Sequence, residues 1–227
     1  MTTSRAQVME QIRAEGIIPA IRVKTPDQVL CAIRALYEAG VQVAEVAMSM
    51  SDAMSSLESS ASEFGDRMLI GAGTVLDAKT AKACILAGAQ FIVSPGLDLP
   101  TIETCRHHGV PVFPGALSPT EIIRAWSAGA DCVKVFPVSA VGGPAYLRAI
   151  KAPLPHVQLL PMGGVSLEMA VEYLTAGAFA LGVANDLVKF DGDELDAAPI
   201  IARARQYRAL ITQGKGLPEE EMAPTAT

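Results

Sequence analysis

Short apolar runs alternate along the chain with amphipathic stretches, and the junctions between them repeat. Ala39-Gly40-Val41, Ala87-Gly88-Ala89, His108-Gly109-Val110, Ala128-Gly129-Ala130 and Ala176-Gly177-Ala178 each close a helical pattern and open an apolar run. Glycine just past the last helical residue suits the left-handed position that ends a helix. The runs that follow (AEV, FIVS, VPVF, CVKVF and FALGV) are short, rich in β-formers and apolar on both faces. Strands of a parallel sheet covered on both sides read this way. Further runs at residues 17–22, 68–71 and 157–160 bring the predicted strands to eight. Helical stretches at 27–39, 78–86, 119–127 and 167–175 lie between them. Their starts are marked: Ser118-Pro119-Thr120-Glu121 is a capping box, and Thr25-Pro26-Asp27 and Asp98 before Pro100 give similar signals.

Eight βα units at this spacing predict an α/β protein, a single-domain (β/α)8 TIM barrel over residues 1–213 with an N-terminal helix. An open doubly wound sheet is the alternative. A last helix is expected near 197–212, and the polar, Gly/Pro-bearing tail 214–227 reads as flexible.

Composition narrows the function. Half of the 227 residues are apolar and 19% are charged, enough for a large core and unlike a disordered chain. A net charge of −6 with no Lys/Arg run argues against nucleic-acid and anionic-membrane partners, so the expected partner is a small molecule. An acidic chain that handles an anion must gather its positive groups in one site. No stretch is apolar for long enough to span a bilayer, and the first residues lack the pattern of a signal peptide. Cys31, Cys84, Cys105 and Cys132 show no CxxC and read as buried reduced thiols of a cytoplasmic protein. His107, His108 and His156 lack metal-ligand spacing, so neither a metal nor another cofactor is expected.

In a barrel the chemistry sits where strands end. Those ends are Arg22, Glu45, Gly73-Thr74, Ser94-Pro95-Gly96, Pro114-Gly115, Lys134 with Phe136-Pro137, Met162-Gly163-Gly164 and Ala184-Asn185. Lys134 stands out within CVKVF, because a lysine among apolar residues is rare unless paired or functional. Alternation puts Cys132, Lys134 and Phe136 on one face. If that face lines the barrel interior, burial lowers the ammonium's pKa and yields the neutral amine that a Schiff base requires. Otherwise the lysine snorkels to the surface. Glu45, a carboxylate inside AEVA, can move protons or form a structural ion pair with Lys134 or Arg22. The loops after strands seven and eight, with Gly163-Gly164 and Asn185, occupy the position of a phosphate cradle.

These residues resemble a known family. Glu45 in AEVAM, GAGTVL from Gly71 to Leu76, Ser94-Pro95-Gly96, Phe113-Pro114-Gly115, VKVFP from Val133 to Pro137 and Gly163-Gly164 are similar to motifs of the 2-keto-3-deoxy-6-phosphogluconate (KDPG)/4-hydroxy-2-oxoglutarate (KHG) aldolases. The likeness runs from about Gly16 to Ala209. The segment from Phe136 to Gly142 and the arginine ending strand one resemble the 6-phosphogalactonate (KDPGal) branch more closely. The resemblance implies a class I aldolase on a (β/α)8 barrel, a homotrimer, taking pyruvate and an aldehyde. Lys134 would be the Schiff-base lysine and Glu45 the general acid/base. Thr74, Pro95 and Phe136 would line the pyruvate pocket, and Gly163, Gly164 and Asn185 would hold the distal phosphate or its equivalent.

The chain also departs from the family pattern. An arginine common four residues after the glutamate is Ser49 here, which leaves Arg22 to grip the keto-acid carboxylate. Position 162 is Met, a bulkier pocket wall, and Ala184-Asn185 replaces Gly-Ser. Two other readings stay open: a phosphate-binding isomerase or transferase without a covalent intermediate, and an inactive metabolite-binding barrel.

Overall fold

The computed structural model describes residues 4–190, 192 and 195–215. Among the described residues there are nine strands: β1 Ile17–Ile21, β2 Val43–Ala47, β3 Leu69–Gly73, β4 Ile92–Val93, β5 Val112–Phe113, β6 Gly115–Ala116, β7 Val133–Val135, β8 Leu159–Pro161 and β9 Leu181–Val183. Helix α1 (Arg5–Glu15) precedes them, and α2 (Pro26–Glu38), α3 (Ala53–Phe64), α4 (Ala78–Leu86) and α5 (Leu99–His107) follow β1 to β4. Next come α6 (Pro119–Ser127), α7 (Pro144–Lys151), α8 (Ala170–Thr175) and α9 (Ala198–Lys215).

Local chemistry explains most of these boundaries. The five junction glycines, Gly40, Gly88, Gly109, Gly129 and Gly177, all take the left-handed conformation, as expected. Ser118 and Glu121 form the capping box, and Thr25 and Asp98 cap α2 and α5. The predicted stretch 167–175 divides into a 3-10 turn (Leu167–Met169) and α8. The last helix runs through Gly214, where the flexible tail was expected to begin, to Lys215, and residues 216–227 lie outside the described residues. Three cysteines are buried, but Cys31 is only half-buried, because it lines a surface cleft between α2 and the chain after β9.

All strand pairs are parallel. Six strands run in the order β5-β4-β3-β2-β1-β9 and three in the order β6-β7-β8. The fifth predicted run is split at Pro114, which has no N–H to donate, so β5 and β6 belong to different ladders. Across that split Asp131 N donates to Val112 O (3.2 Å) and Lys134 N to Pro114 O (2.9 Å). At the other margin Phe179 N donates to Leu159 O (2.8 Å), and Met162 bridges to Gly182.

The curled sheet separates two apolar layers. The outer one packs the sheet against its helices. The inner one joins Ile18, Val43, Leu69, Phe91, Phe113, Cys132 and Leu160 from the strands with Val8 and Ile12 of α1. Arg5 pins α1 in place through Asp131 (2.6 Å) and the Gly129 carbonyl (3.2 Å). The inner layer is therefore floored by α1 at the N-terminal ends of the strands, and chemistry is left to the opposite end. Among the described residues no helix is long and apolar enough to cross a membrane.

Candidate active site

At the C-terminal ends of the strands lies a cavity of about 890 Å³. Of the ten site residues expected from the sequence, Glu45, Lys134, Arg22, Phe136, Met162, Gly163, Gly164 and Asn185 line it. Thr74 and Pro95 do not. Thr74 touches the site indirectly, accepting a hydrogen bond from Arg22 Nη2 at 3.3 Å. It does so at φ 56°, a left-handed conformation costly for a β-branched residue. Pro95 instead packs its carbonyl against Gly115, where a Cβ would come within 2.1 Å of that oxygen. Ser49 is exposed and lies outside the cavity lining.

Lys134 and Glu45 both line this cavity. They are 3% and 1% exposed, in the middle of β7 and β2 respectively. Burial lowers the Lys134 pKa; the Glu45 charge opposes that shift and the Arg22 charge reinforces it. Burial raises the Glu45 pKa against the pull of Lys134 and Arg22. Each group is thus driven toward its neutral form, a lysine ready to act as nucleophile and a carboxyl able to carry a proton. Glu45 Oε2 has no hydrogen-bond partner in the protein. Lys134 Nζ lies 4.9 Å from the centre of the Phe136 ring, two residues along the same strand.

The neighbouring strands are cut to fit these side chains. A Cβ at Gly73 would lie 1.6 Å from Glu45 Oε1, and one at Gly71 would strike the Phe91 ring at 2.4 Å. The two glycines of GAGT in β3 therefore supply the space that the Glu45 carboxylate and Phe91 fill. Gly182 does the same for Met162, whose Cε would lie 2.3 Å from an added Cβ.

Asp186, which sequence reading passed over, lines the cavity and binds its surroundings firmly. It accepts from Arg203 Nη2 (2.8 Å), Arg203 Nε (3.1 Å), Tyr207 OH (2.6 Å) and the backbone N of Leu167 (3.2 Å). Burial alone would raise its pKa, but the hydrogen bonds from Arg203 and Tyr207 overcome this and hold the carboxyl below its usual range. Asp186 thereby ties α9 to the turn after Gly163-Gly164. Its only sequence signal was its place beside Asn185 at a strand end. Among the described residues no cluster of His, Cys, Asp and Glu could hold a metal ion.

The sequence profile of an aldolase family described as KDPG and KHG aldolase matches residues 8–201. A 2-dehydro-3-deoxy-6-phosphogalactonate aldolase of Escherichia coli (strain K12) is 34% identical over 197 residues, covering 86% of this chain and 96% of that protein. A native KDPGal structure superposes with a TM-score of 0.82 at 30% identity, covering 88% of this chain and 96% of the other. The KDPG aldolase of Legionella pneumophila, with pyruvate captured as a covalent carbinolamine, superposes at 0.76 with 28% identity, covering 90% and 96%. Fold, buried amine and relatives together define a class I, Schiff-base-forming aldolase, a carbon–carbon lyase. The chain belongs to the KDPG and KHG aldolase family.

Proposed function

We propose that this enzyme cleaves or forms 2-keto-3-deoxy sugar acids, phosphorylated or not, or 4-hydroxy-2-oxoglutarate, with pyruvate as the keto acid and Lys134 as the nucleophile. The observation that carries the reading is the pairing of Lys134 and Glu45, both buried, both lining one cavity and each shifted toward neutrality.

The neutral Lys134 amine attacks the keto carbon of the substrate to give a carbinolamine, whose hydroxyl takes the proton carried by Glu45 and leaves as water, giving an iminium and a Glu45 carboxylate. Glu45 takes the proton from the C4 hydroxyl. The C3–C4 bond breaks, and its electron pair flows into the iminium to give an enamine while the aldehyde departs. Glu45 returns the proton to C3, and water then releases pyruvate from Lys134. Arg22 grips the keto-acid carboxylate, with Thr74 orienting its guanidinium; the exposure of Ser49 supports giving this task to Arg22. Phe136 belongs to the pyruvate end, with Pro95 behind it outside the lining, and Met162 to the wall beside the aldehyde-derived carbons. Gly163, Gly164 and Asn185 hold the far end of the substrate. Support for that role comes from the place of the two glycines in the cavity lining, where neither carries a side chain to fill the space.

The ladders and their ties at Pro114 and at Met162–Gly182 support a closed (β/α)8 barrel, one domain over residues 1–213. The family resemblance carries the homotrimer. The unpaired cysteines and absence of a membrane-crossing helix among the described residues are consistent with a cytoplasmic enzyme.

The test is mass spectrometry of the intact protein after incubation with pyruvate and borohydride. One reduced pyruvate on Lys134 is expected. A folded protein that acquires no adduct refutes the covalent mechanism and favours an isomerase, a transferase or an inactive binding barrel.

A further inference from the structure

Seven polar or charged side chains are buried among the described residues, and three of them line the cavity: Lys134, Glu45 and Gln28. The first two have chemical roles, which leaves Gln28 at 1% exposure without one. Its amide is used at both ends. Oε1 accepts from the backbone N of Lys24 at 2.9 Å, and Nε2 donates to the carbonyl of Gly192 at 3.0 Å. Lys24 follows β1 and Gly192 follows β9, and both line the cavity, as do Val23 on one side and Lys189 and Phe190 on the other. One turn along α2, Cys31 Sγ donates to the Leu195 carbonyl at 3.5 Å, so the same helix face meets the post-β9 chain twice.

We propose that Gln28 is a positioning residue for the acceptor end of the active site, a latch that sets the opening between the segments after β1 and after β9. A primary amide of the right length does both jobs, because one backbone group needs an acceptor and the other a donor. Buried and bonded at both ends, such a side chain fixes its neighbours; with one end lost, a buried polar group is left unpaired. Gln28 touches neither reacting carbon. Its effect falls on how the aldehyde-bearing half of the substrate is seated, and the pyruvate half below is left alone. The inference rests on the aldolase reading above for its substrate, and the experiment separates the two.

Gln28→Met keeps the side-chain length and removes both bonds; Gln28→Asn keeps the amide but is one methylene shorter and cannot span both partners. Two reactions are compared with pyruvate saturating: exchange of the pyruvate methyl protons with solvent, and aldol addition to glyceraldehyde 3-phosphate. Both variants should exchange within about twofold of the unaltered enzyme, while their KM for the aldehyde rises about tenfold, the equivalent of one or two lost hydrogen bonds. Backbone amide exchange at Val188, Lys189 and Phe190 should quicken in both variants, with the β-strands unchanged. An aldehyde KM within twofold of normal, or an equal fall in both reactions, overturns the latch. If Gln28→Met does not fold, Gln28→Asn carries the same comparison. If the unaltered enzyme lacks pyruvate exchange, the aldolase reading fails; the latch is then judged by amide exchange alone and is refuted if that is unchanged.

Discussion

Gly73→Ala adds one methyl group and should nearly abolish catalysis without touching a chemical residue. The backbone at Gly73 takes no left-handed conformation, so alanine fits the strand, and the conflict is purely with Glu45. The new Cβ would start 1.6 Å from Oε1, 2.3 Å from Cδ and 2.5 Å from Cγ. Reaching the near edge of ordinary contact at 3.4 Å moves the carboxylate by about 1.8 Å. A misplacement of about 1 Å can cost about 100-fold, and a general acid/base contributes about 100- to 10,000-fold, so kcat should fall at least about 100-fold. Stability should drop only by the cost of overpacking, about 1–3 kcal/mol. The assay pairs two readouts: proton exchange at the pyruvate methyl, which needs Glu45 under the proposed mechanism, and borohydride trapping on Lys134. Exchange should collapse while trapping persists. A variant that exchanges at the normal rate would refute the claim that β3 is notched to seat this carboxylate.

Other outcomes follow from the same geometry. Lys134→Met should fold and lose turnover, checked by circular dichroism and activity, since methionine fills the same buried space and Glu45, its pKa already raised by burial, can take up a proton once the lysine is gone. Arg22→Ala should raise the KM for pyruvate by about 10- to 100-fold, the loss of a charged hydrogen-bonding contact; an unchanged KM moves carboxylate binding elsewhere. The pH dependence of adduct formation should shift in opposite directions in two variants. Glu45→Gln removes the charge that raises the Lys134 pKa, so its midpoint falls; Arg22→Ala removes a charge that lowers it, so the midpoint rises. Asp186→Asn should cost about 1–2 kcal/mol at neutral pH. Because Asp186 is depressed in the folded protein, that contribution is present above the unfolded carboxylate value of about 3.9 and is lost as pH falls below it, so urea midpoints of the two proteins should converge in acid.

What could be read from the sequence was whatever a few neighbouring residues decide. The junction glycines announce helix ends because only one backbone conformation suits them there. Lys134 and Glu45 announce themselves because charge inside an apolar strand is costly and rare. Gln28 and Asp186 gave no such sign. Both sit where polar residues are ordinary, one at a helix start and one after a strand, and their partners are Gly192, Arg203 and Tyr207. Nothing local encodes such pairings. The notch at Gly73 was hidden for the same reason, since its meaning lies in the register of β3 against β2, where Ala47 faces Gly73 and Glu45 faces Gly71. Pro114 was visible as a residue, but that it would divide a strand between two ladders depended on the curl of the whole sheet.

The floor made by α1 has a kinetic consequence. Below Lys134 and Glu45 the interior is filled by Phe91 and Phe113, ring centres 5.9 Å apart, and by Val8 and Ile12 beneath them. Among the described residues a molecule bound at Lys134 therefore has one doorway, and the aldehyde half of the substrate stands in it. Cleavage must release its products in sequence, aldehyde first and pyruvate last, and synthesis must load them in the reverse sequence. Pyruvate should accordingly compete with the sugar acid for free enzyme, whereas the aldehyde should inhibit by a different pattern, meeting only enzyme that already carries its keto acid.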